Sequence, residues 1–251
     1  MSAVKCAVRN RRSVVTVTTA HAVRFAADDA LSSAGHIASL IATADRLRRS
    51  SALPLRGTNL ALLRAEGAPE GSPLKQAAEE VGARVALLNF IHDRSADAGH
   101  DAIALARMLG RMYDGIDCDD LDRSIRRQIQ SHAGVPVFHG LARDSHPARV
   151  IADLWTLCER QAPADRWVVF IGNARPRRAR MFAAAARAMG ISIFKKAHAP
   201  VGADEAAAIA DASQPGHWTL WIDGAAVDPD AVQDNHRRIM QAVLIHTLRS
   251  A

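Results

Sequence analysis

Short apolar runs alternate with helical patterns along most of this 251-residue sequence, and the alternation restricts the folds open to it. Runs rich in β-branched and aliphatic residues, bounded by Gly, Pro or charge, predict strands over 59–63, 84–90, 135–141, 167–173, 191–197 and 218–223. Between them, apolar residues recur at spacings of three and four, which predicts helices over 30–49, 73–81, 101–113, 121–132, 147–160 and 178–189. Continuous apolar strands separated by helices favour parallel sheets covered on both faces.

The order of these elements predicts an α/β protein with two doubly wound parallel-sheet layers. We expect residues 1–25 to form an extension ahead of a first domain over 26–150, and a second domain to follow over 151–230. The helix over 147–160 joins the two layers. A last helical pattern within 231–251 is long enough to cross back onto the first layer and complete the first domain.

The composition is that of a folded protein, because 49% of the residues are hydrophobic and the chain is long enough to bury a sizeable core. No apolar run approaches the roughly 20 residues that span a bilayer, and residues 1–25 lack the apolar core of a secretory signal. We therefore expect a cytoplasmic protein without a membrane partner. The spacing of Cys6, Cys118 and Cys158 fits neither a disulfide framework nor a zinc site, so we expect reduced thiols, no metal and no cofactor.

The net charge of +6 raises the possibility of a nucleic-acid partner, since clustered cations release counterions from a phosphate backbone. The pattern argues against it. Only four of the 32 basic residues are Lys, the Arg residues are interspersed with acidic ones, and aromatic residues make up 4% of the chain. The densest basic run, 175–180, is the best candidate for a polyanion contact, and a solvated helix start is the alternative reading.

Ligands of doubly wound sheets bind where the carboxyl ends of strands lead into helices, because the N–H groups of a helix start face an anion there. Three strand-to-helix loops of this kind span 64–73, 144–147 and 171–176. In the first loop, Ser72 and Pro73 are a favourable N-cap and first helical residue. Glu66 and Glu70 stand in the same loop, and each would repel a bound phosphate dianion.

His146 and Arg111 are the candidate catalytic residues. His146 immediately precedes a helix, where the helix dipole disfavours a second positive charge and keeps the imidazole neutral. A neutral imidazole can donate a hydrogen bond to a carbonyl oxygen that gains charge during a reaction. A helix cap without a ligand is the alternative for His146. For Arg111, at the end of an apolar helix, the alternative is an ion pair with Asp114 or Asp117.

Three segments resemble, in order and at matching spacing, the carbamoyl-phosphate half of ornithine carbamoyltransferases. They are LGRMYDGI at 109–116, AGVPVFHGL at 133–141 and HPARVIADLWTL at 146–157. Near the end of the chain, DNHRRIMQAV at 234–243 resembles the family's ENRMHTIKAV. The resemblance extends from about residue 30 to 249. It implies the fold of the aspartate/ornithine carbamoyltransferase family, which transfers a carbamoyl group from carbamoyl phosphate to an amino-acid amine.

The resemblance also implies roles for individual residues near the carbamoyl donor. It implies that His146 donates a hydrogen bond to the carbamoyl oxygen and that Arg111 contacts both the phosphate and the carbonyl oxygen. Arg149 stands where the family's HPTQ motif has a glutamine that contacts the carbamoyl amide. His236 occupies the position of a family arginine for the phosphate or carbonyl oxygen. In place of the family's Ser-Thr-Arg-Thr-Arg phosphate run, the loop over 64–73 has roughly Gly-Ala-Pro-Glu-Gly.

On the acceptor side, the segment at 171–176 resembles the family's GDARNN motif, which implies that Asn173 and Arg175 lie near the amino-acid substrate. Pro176 and Arg177 replace the two asparagines of that motif. The family's Asp-x-x-x-Ser-Met-Gly and His-Cys-Leu-Pro segments, which orient ornithine and close the site, have no counterpart here, so the second domain is shortened.

These departures favour a catalytically impaired paralogue of the enzyme. An active carbamoyltransferase with an altered acceptor and a polyanion-binding module on the same scaffold are the alternatives. Carbamoyl phosphate or another small anion is the expected ligand. Because family members are trimers with active sites between subunits, the resemblance also predicts a homotrimer, or a mixed trimer with a full-length paralogue.

Overall fold

The structure is a computed structural model, and it describes residues 33–65, 67, 71–90, 98–159, 167–195 and 208–249. The expected extension over 1–25 and the two acidic residues of the first loop, Glu66 and Glu70, lie outside the described residues.

The first half of the chain forms a four-stranded parallel sheet in the order β2-β1-β3-β4. Its elements are α1 (Ala34–Arg48), β1 (Asn59–Ala65), α2 (Pro73–Glu80), β2 (Arg84–Phe90), α3 (Ala98–Met112), β3 (Gly115–Asp117), α4 (Arg123–His132) and β4 (Val137–Phe138). Helices α3 and α4 pack against one another, and their apolar side chains form a core with residues of β1 and β3. The Ser72 side chain caps α2 by accepting a hydrogen bond from the Lys75 N–H, with Pro73 as the first helical residue, as expected.

The second half forms a five-stranded sheet in the order β6-β5-β7-β8-β9. Its elements are α5 (Pro147–Cys158), β5 (Trp167–Gly172), α6 (Arg177–Ala188), β6 (Ser192–Lys195), β7 (Ala208–Ala212), β8 (Thr219–Ile222), β9 (Ala225–Ala226) and α7 (Pro229–Leu248). Strands β5, β6 and β7 are parallel, whereas β8 and β9 continue the sheet antiparallel. Asp223 and Gly224 connect β8 to β9 with positive φ angles of 51° and 74°, the backbone of a two-residue hairpin.

Helix α5 is the structural link between the sheets, and every residue from Pro147 to Cys158 except Arg149 is buried. Helix α7 packs against α1, α2 and α5 and so returns to the first half of the chain. One core cluster contains side chains of both sheets together with α5 and α7. The predicted α/β fold with two sheets and a returning last helix is therefore confirmed. The antiparallel edge formed by β8 and β9 is an addition to the expected parallel arrangement.

Candidate functional site

The carboxyl end of the second sheet and the loop before α5 enclose a pocket of about 400 Å³. Asp144 and Ser145 line it from the first half of the chain, while Asn173 and Pro176 follow β5 and the segment 212–218 follows β7. Both helices that begin here, α5 and α6, direct their amino-terminal ends to the same region. This is the position at which parallel α/β sheets bind ligands.

His146 is the N-cap of α5, and its Nδ1 accepts a hydrogen bond of 3.1 Å from the Ala148 N–H. An N–H group only donates, so Nδ1 carries no proton and the neutral ring has its proton on Nε2. Burial, and to a smaller extent neighbouring His236, His139 and Arg177, together lower the pKa of His146 to about 3. The ring is therefore neutral at physiological pH. It keeps one N–H donor beyond its capping contact, which is what contact with a carbonyl oxygen requires.

Arg149 and Arg178 form a buried ion cluster beside His146. Arg178 Nη2 lies 2.8 Å from Asp153 Oδ2, and Arg149 Nε lies 3.4 Å from Asp153 Oδ1. The Asp153 side chain is fully buried, and the more exposed Asp144 lies 3.8 Å from Arg178 and 3.6 Å from Arg149. Arg149 also donates to Gln233 at 2.8 Å. The structure thus places Arg149 among the chain's own acceptors, whereas the resemblance had predicted a substrate-binding residue at this position.

Arg178 has a further contact that extends the cluster into the pocket wall. Its guanidinium carbon lies 4.6 Å from the ring centroid of Trp218, a cation–π geometry. Trp218 packs in turn against Phe170 and Phe182, with ring centroids 6.0 and 5.3 Å away. Arg178 therefore holds α6, α5 and the segment before β8 together. In the sequence, Arg178 stands out only as part of the basic run 175–180.

A group of acidic residues at the carboxyl end of β3 was missed by the sequence analysis. Arg64 Nε lies 2.6 Å from Asp120, and Arg143 Nε lies 2.7 Å from Asp119. Burial, followed by the charge of the neighbouring Asp119, raises the pKa of Asp117 to about 8. The signal was present in the sequence, because an acidic run directly follows a short apolar strand at the ligand-binding edge of a parallel sheet.

Arg111 lies at the opposite edge of the first sheet from His146. It is exposed in the last turn of α3, which leads into the amino end of β3, and Asp114 N donates to Asn59 O at the start of β1. His146 instead follows the carboxyl end of β4. Because the strands are parallel, these ends lie on opposite sides, which corrects the expectation that Arg111 and His146 grip one ligand. Among the described ion pairs, Arg111 also pairs with neither Asp114 nor Asp117.

The remaining predicted residues, Asn173, Arg175 and His236, differ in their exposure and in their contact with the pocket. Asn173 lines the pocket, and its Oδ1 accepts a 2.9 Å hydrogen bond from the Arg175 N–H, while the Arg175 side chain is exposed. His236 of α7 is only 1% exposed and is bonded through Nε2 to Leu141 O at 3.1 Å. A ligand in the pocket would not reach His236, which corrects its expected substrate contact.

Within the described ranges, no group of three or more His, Cys, Asp or Glu side chains has an arrangement that could hold a metal ion. The same part of the chain has no helix of the length and apolarity that crossing a membrane requires.

Comparisons with known proteins relate both the sequence and the fold to carbamoyltransferases. Over 126 residues, 48% of the chain, the sequence is 36% identical to an ornithine carbamoyltransferase of Haemophilus influenzae. Over 127 residues it is 35% identical to the ornithine carbamoyltransferase of Actinobacillus pleuropneumoniae. Each aligned region spans only 37% of the relative's own length. No protein-family profile matches the sequence.

Solved structures match over most of the chain. The ornithine carbamoyltransferase from Burkholderia thailandensis aligns with a TM-score of 0.61 at 16% identity, covering 86% of this chain and 95% of that one. The catalytic subunit of M. jannaschii aspartate transcarbamoylase aligns with a TM-score of 0.58 at 13% identity, covering 87% of this chain and 95% of that one. At these identities the structures establish the fold.

The fold shared with these neighbours has two α/β sheets joined by one buried helix and a carboxyl-terminal helix that returns to the first half of the chain. The chain therefore has the carbamoyltransferase fold, and over about half of its length its sequence is similar to ornithine carbamoyltransferases.

Proposed function

We propose that this protein is a catalytically impaired carbamoyltransferase paralogue that binds carbamoyl phosphate or another small anion. The observation that carries the proposal is that arginines near the carboxyl ends of the two sheets are paired with carboxylates of the same chain. The pairs are Arg64–Asp120, Arg143–Asp119, Arg149–Asp153 and Arg178–Asp153. Carbamoyl transfer needs cations that are free to stabilise the leaving phosphate. A phosphate dianion would have to compete here with carboxylates that already neutralise these arginines.

His146 supports a retained ligand contact within this proposal. Its ring is neutral and capped on Nδ1, so the Nε2–H is the donor available to a carbamoyl or phosphate oxygen. One donor at a helix start supports weak anion binding better than turnover, because the oxyanion and the leaving group must be stabilised together. We place the protein in the cytoplasm as a ligand sensor or as a subunit beside an active enzyme.

The test is citrulline formation from ornithine and carbamoyl phosphate by purified protein from a host without its own carbamoyltransferase. The Haemophilus influenzae enzyme is the positive control. We expect a rate lower by at least about 10³-fold, since loss of a single oxyanion donor costs about 10²–10³. The matched control is His146→Ala, and turnover that is unchanged in this variant comes from contamination. Turnover near that of the control enzyme, lost in His146→Ala, would contradict impaired catalysis.

An active carbamoyltransferase with an altered acceptor is the second candidate, and the 400 Å³ pocket favours it. Its volume lies within the range of small-molecule sites, and Asp144, Asn173 and Trp218 supply an acid, an amide and an aromatic wall. Phosphate release from carbamoyl phosphate across a panel of amines tests this candidate. If calorimetry detects no binding of carbamoyl phosphate at millimolar concentration, the candidate has no donor substrate.

We also propose assembly as a homotrimer, or as a mixed trimer in which a full-length paralogue supplies cations at the shared site. Support comes from the arginines that are neutralised by carboxylates of the same chain. Co-expression with a full-length ornithine carbamoyltransferase followed by native mass spectrometry tests it. We expect trimer masses that contain both chains, and a single monomeric mass would contradict both forms of assembly.

A further inference from the structure

His236 connects the last helix to the loop that carries His146. Its ring is 1% exposed, and Nε2 donates to the main-chain oxygen of Leu141, 3.1 Å away. Leu141 is itself 2% exposed and lies between β4 and α5. Nδ1 of His236 is buried and has no hydrogen-bond partner among the described residues. The imidazole therefore uses one nitrogen, as a donor, on the loop.

Two consecutive hydrogen-bonded turns connect the chain around Leu141 to His146. Arg143 N donates to Gly140 O at 2.9 Å, and His146 N donates to Arg143 O at 3.0 Å. The same loop ends with the bond from Ala148 N to His146 Nδ1. The bond from His236 thus joins the beginning of the loop to α7, whereas the Arg143 side chain joins the loop to Asp119 and the main-chain bonds are local. Without it, the buried Leu141 oxygen would lack a partner, and the loop would rearrange to reach one.

We propose that His236 is a positioning residue, a buried N–H donor on α7 that fixes the loop between β4 and α5 and so holds His146 as the Nε2–H tautomer at the start of α5. The relevance to ligand binding rests on the proposed function. The tautomer of His146 does not depend on the proposed function, because it is a property of the unliganded protein.

The chemistry of His236 predicts which replacement preserves this role. Only its Nε2–H makes a contact, so a charged imidazole is not required. Glutamine carries an amide N–H at about the same distance along the side chain and retains the donor. Leucine has a similar bulk and no donor. Asparagine keeps an amide but presents it closer to the backbone, where it does not reach Leu141 O.

The experiment reads the ring nitrogens of His146 by NMR in the unliganded protein labelled with ¹⁵N-histidine at pH 7. The wild type is expected to give one tautomer, protonated at Nε2. His236→Gln retains that spectrum, and His236→Leu gives a mixture of both tautomers. Far-UV circular dichroism checks that each variant is folded, and His236→Asn replaces His236→Leu if the latter does not fold. An unchanged His146 spectrum without the donor would overturn the proposal, and so would a glutamine variant as disturbed as the leucine one.

Calorimetry with carbamoyl phosphate then separates this inference from the proposed function. We expect His236→Gln to keep the wild-type Kd within about twofold and His236→Leu to weaken binding about tenfold, the usual effect of losing a group that orients a ligand-binding histidine. A wild type that binds no carbamoyl phosphate contradicts the ligand proposed above, and the NMR spectra still decide the role of His236.

Discussion

Arg178 of α6 and Asp153 of α5 form a buried ion pair, with Nη2 2.8 Å from Oδ2 and the Asp153 side chain fully excluded from solvent. Arg178 Nε lies 3.3 Å from the same oxygen, and the guanidinium covers the Trp218 ring. An isolated carboxylate at this depth would be strongly unfavourable, so the pair is required once Asp153 is buried. It also joins the helix that links the two sheets to the first helix of the second sheet.

Replacing Arg178 by methionine is expected to destabilise the fold by about 3–5 kcal/mol, because Asp153 keeps only the longer contact with Arg149. Urea unfolding followed by tryptophan fluorescence and circular dichroism measures the change. Arg180→Met is the matched control, since Arg180 is exposed on the same helix and should change stability by less than about 0.5 kcal/mol. Adding Asp153→Asn to Arg178→Met should recover part of the loss, and no recovery would contradict the buried charge as its cause.

Gly172 ends β5 beside the pocket, and alanine there is expected to be strongly destabilising. Its φ is +103°, and a Cβ would lie 2.3 Å from the main-chain carbonyl of Ala212 on the paired strand β7. Gly190→Ala is the control, because Gly190 has a φ of +71° and no atom within 4 Å of the added Cβ. We expect about 1–2 kcal/mol for Gly190→Ala from the backbone alone and about 3 kcal/mol or more for Gly172→Ala. Equal thermal and urea stabilities of the two variants would contradict the steric overlap.

The sequence predicted the elements with strong local patterns and missed those without them. Strand β3 has only three residues, Gly115–Asp117, and β7 reads AIADA, with few residues that favour strands. Both are central strands, and they form because neighbouring strands supply hydrogen bonds on each side. Tertiary pairing of this kind leaves no periodic signal in the segment itself.

The candidate site shows the same limit. The position of His146 at a helix start is local and was predicted, but the partners of Arg149 and Arg178 depend on how α5 and α6 pack. The location of Arg111, in contrast, could have been predicted from the sequence. A residue that ends a helix just before a parallel strand lies at the amino edge of the sheet, so the sequence contained the information that separates Arg111 from His146.

Asp117 is expected to make stability fall as the pH rises. Its carboxyl has a pKa of about 8 in the folded protein, because of burial and then Asp119, against an ordinary value of 3.8. Between these values the unfolded chain releases a proton that the folded chain retains, so each rise in pH favours unfolding until about pH 8. Asp117→Asn removes the effect. Urea unfolding from pH 4.5 to 8 should give a stability difference between variant and wild type that grows with pH, and a constant difference would contradict the raised pKa.

His146 is expected to have the opposite dependence. Its pKa falls to about 3 in the folded protein, through burial first and then His236, His139 and Arg177, while the unfolded value is 6.5. The stability it supports is fully present above pH 6.5 and is lost as the pH falls towards the folded value, because the unfolded chain binds a proton that the folded ring does not. His146→Asn is the matched variant, since asparagine is also a favourable N-cap and does not titrate. The wild type should therefore lose stability relative to His146→Asn between pH 6.5 and 4 in urea unfolding. Parallel stability curves over that range would show that the ring of His146 takes up its proton equally in both states.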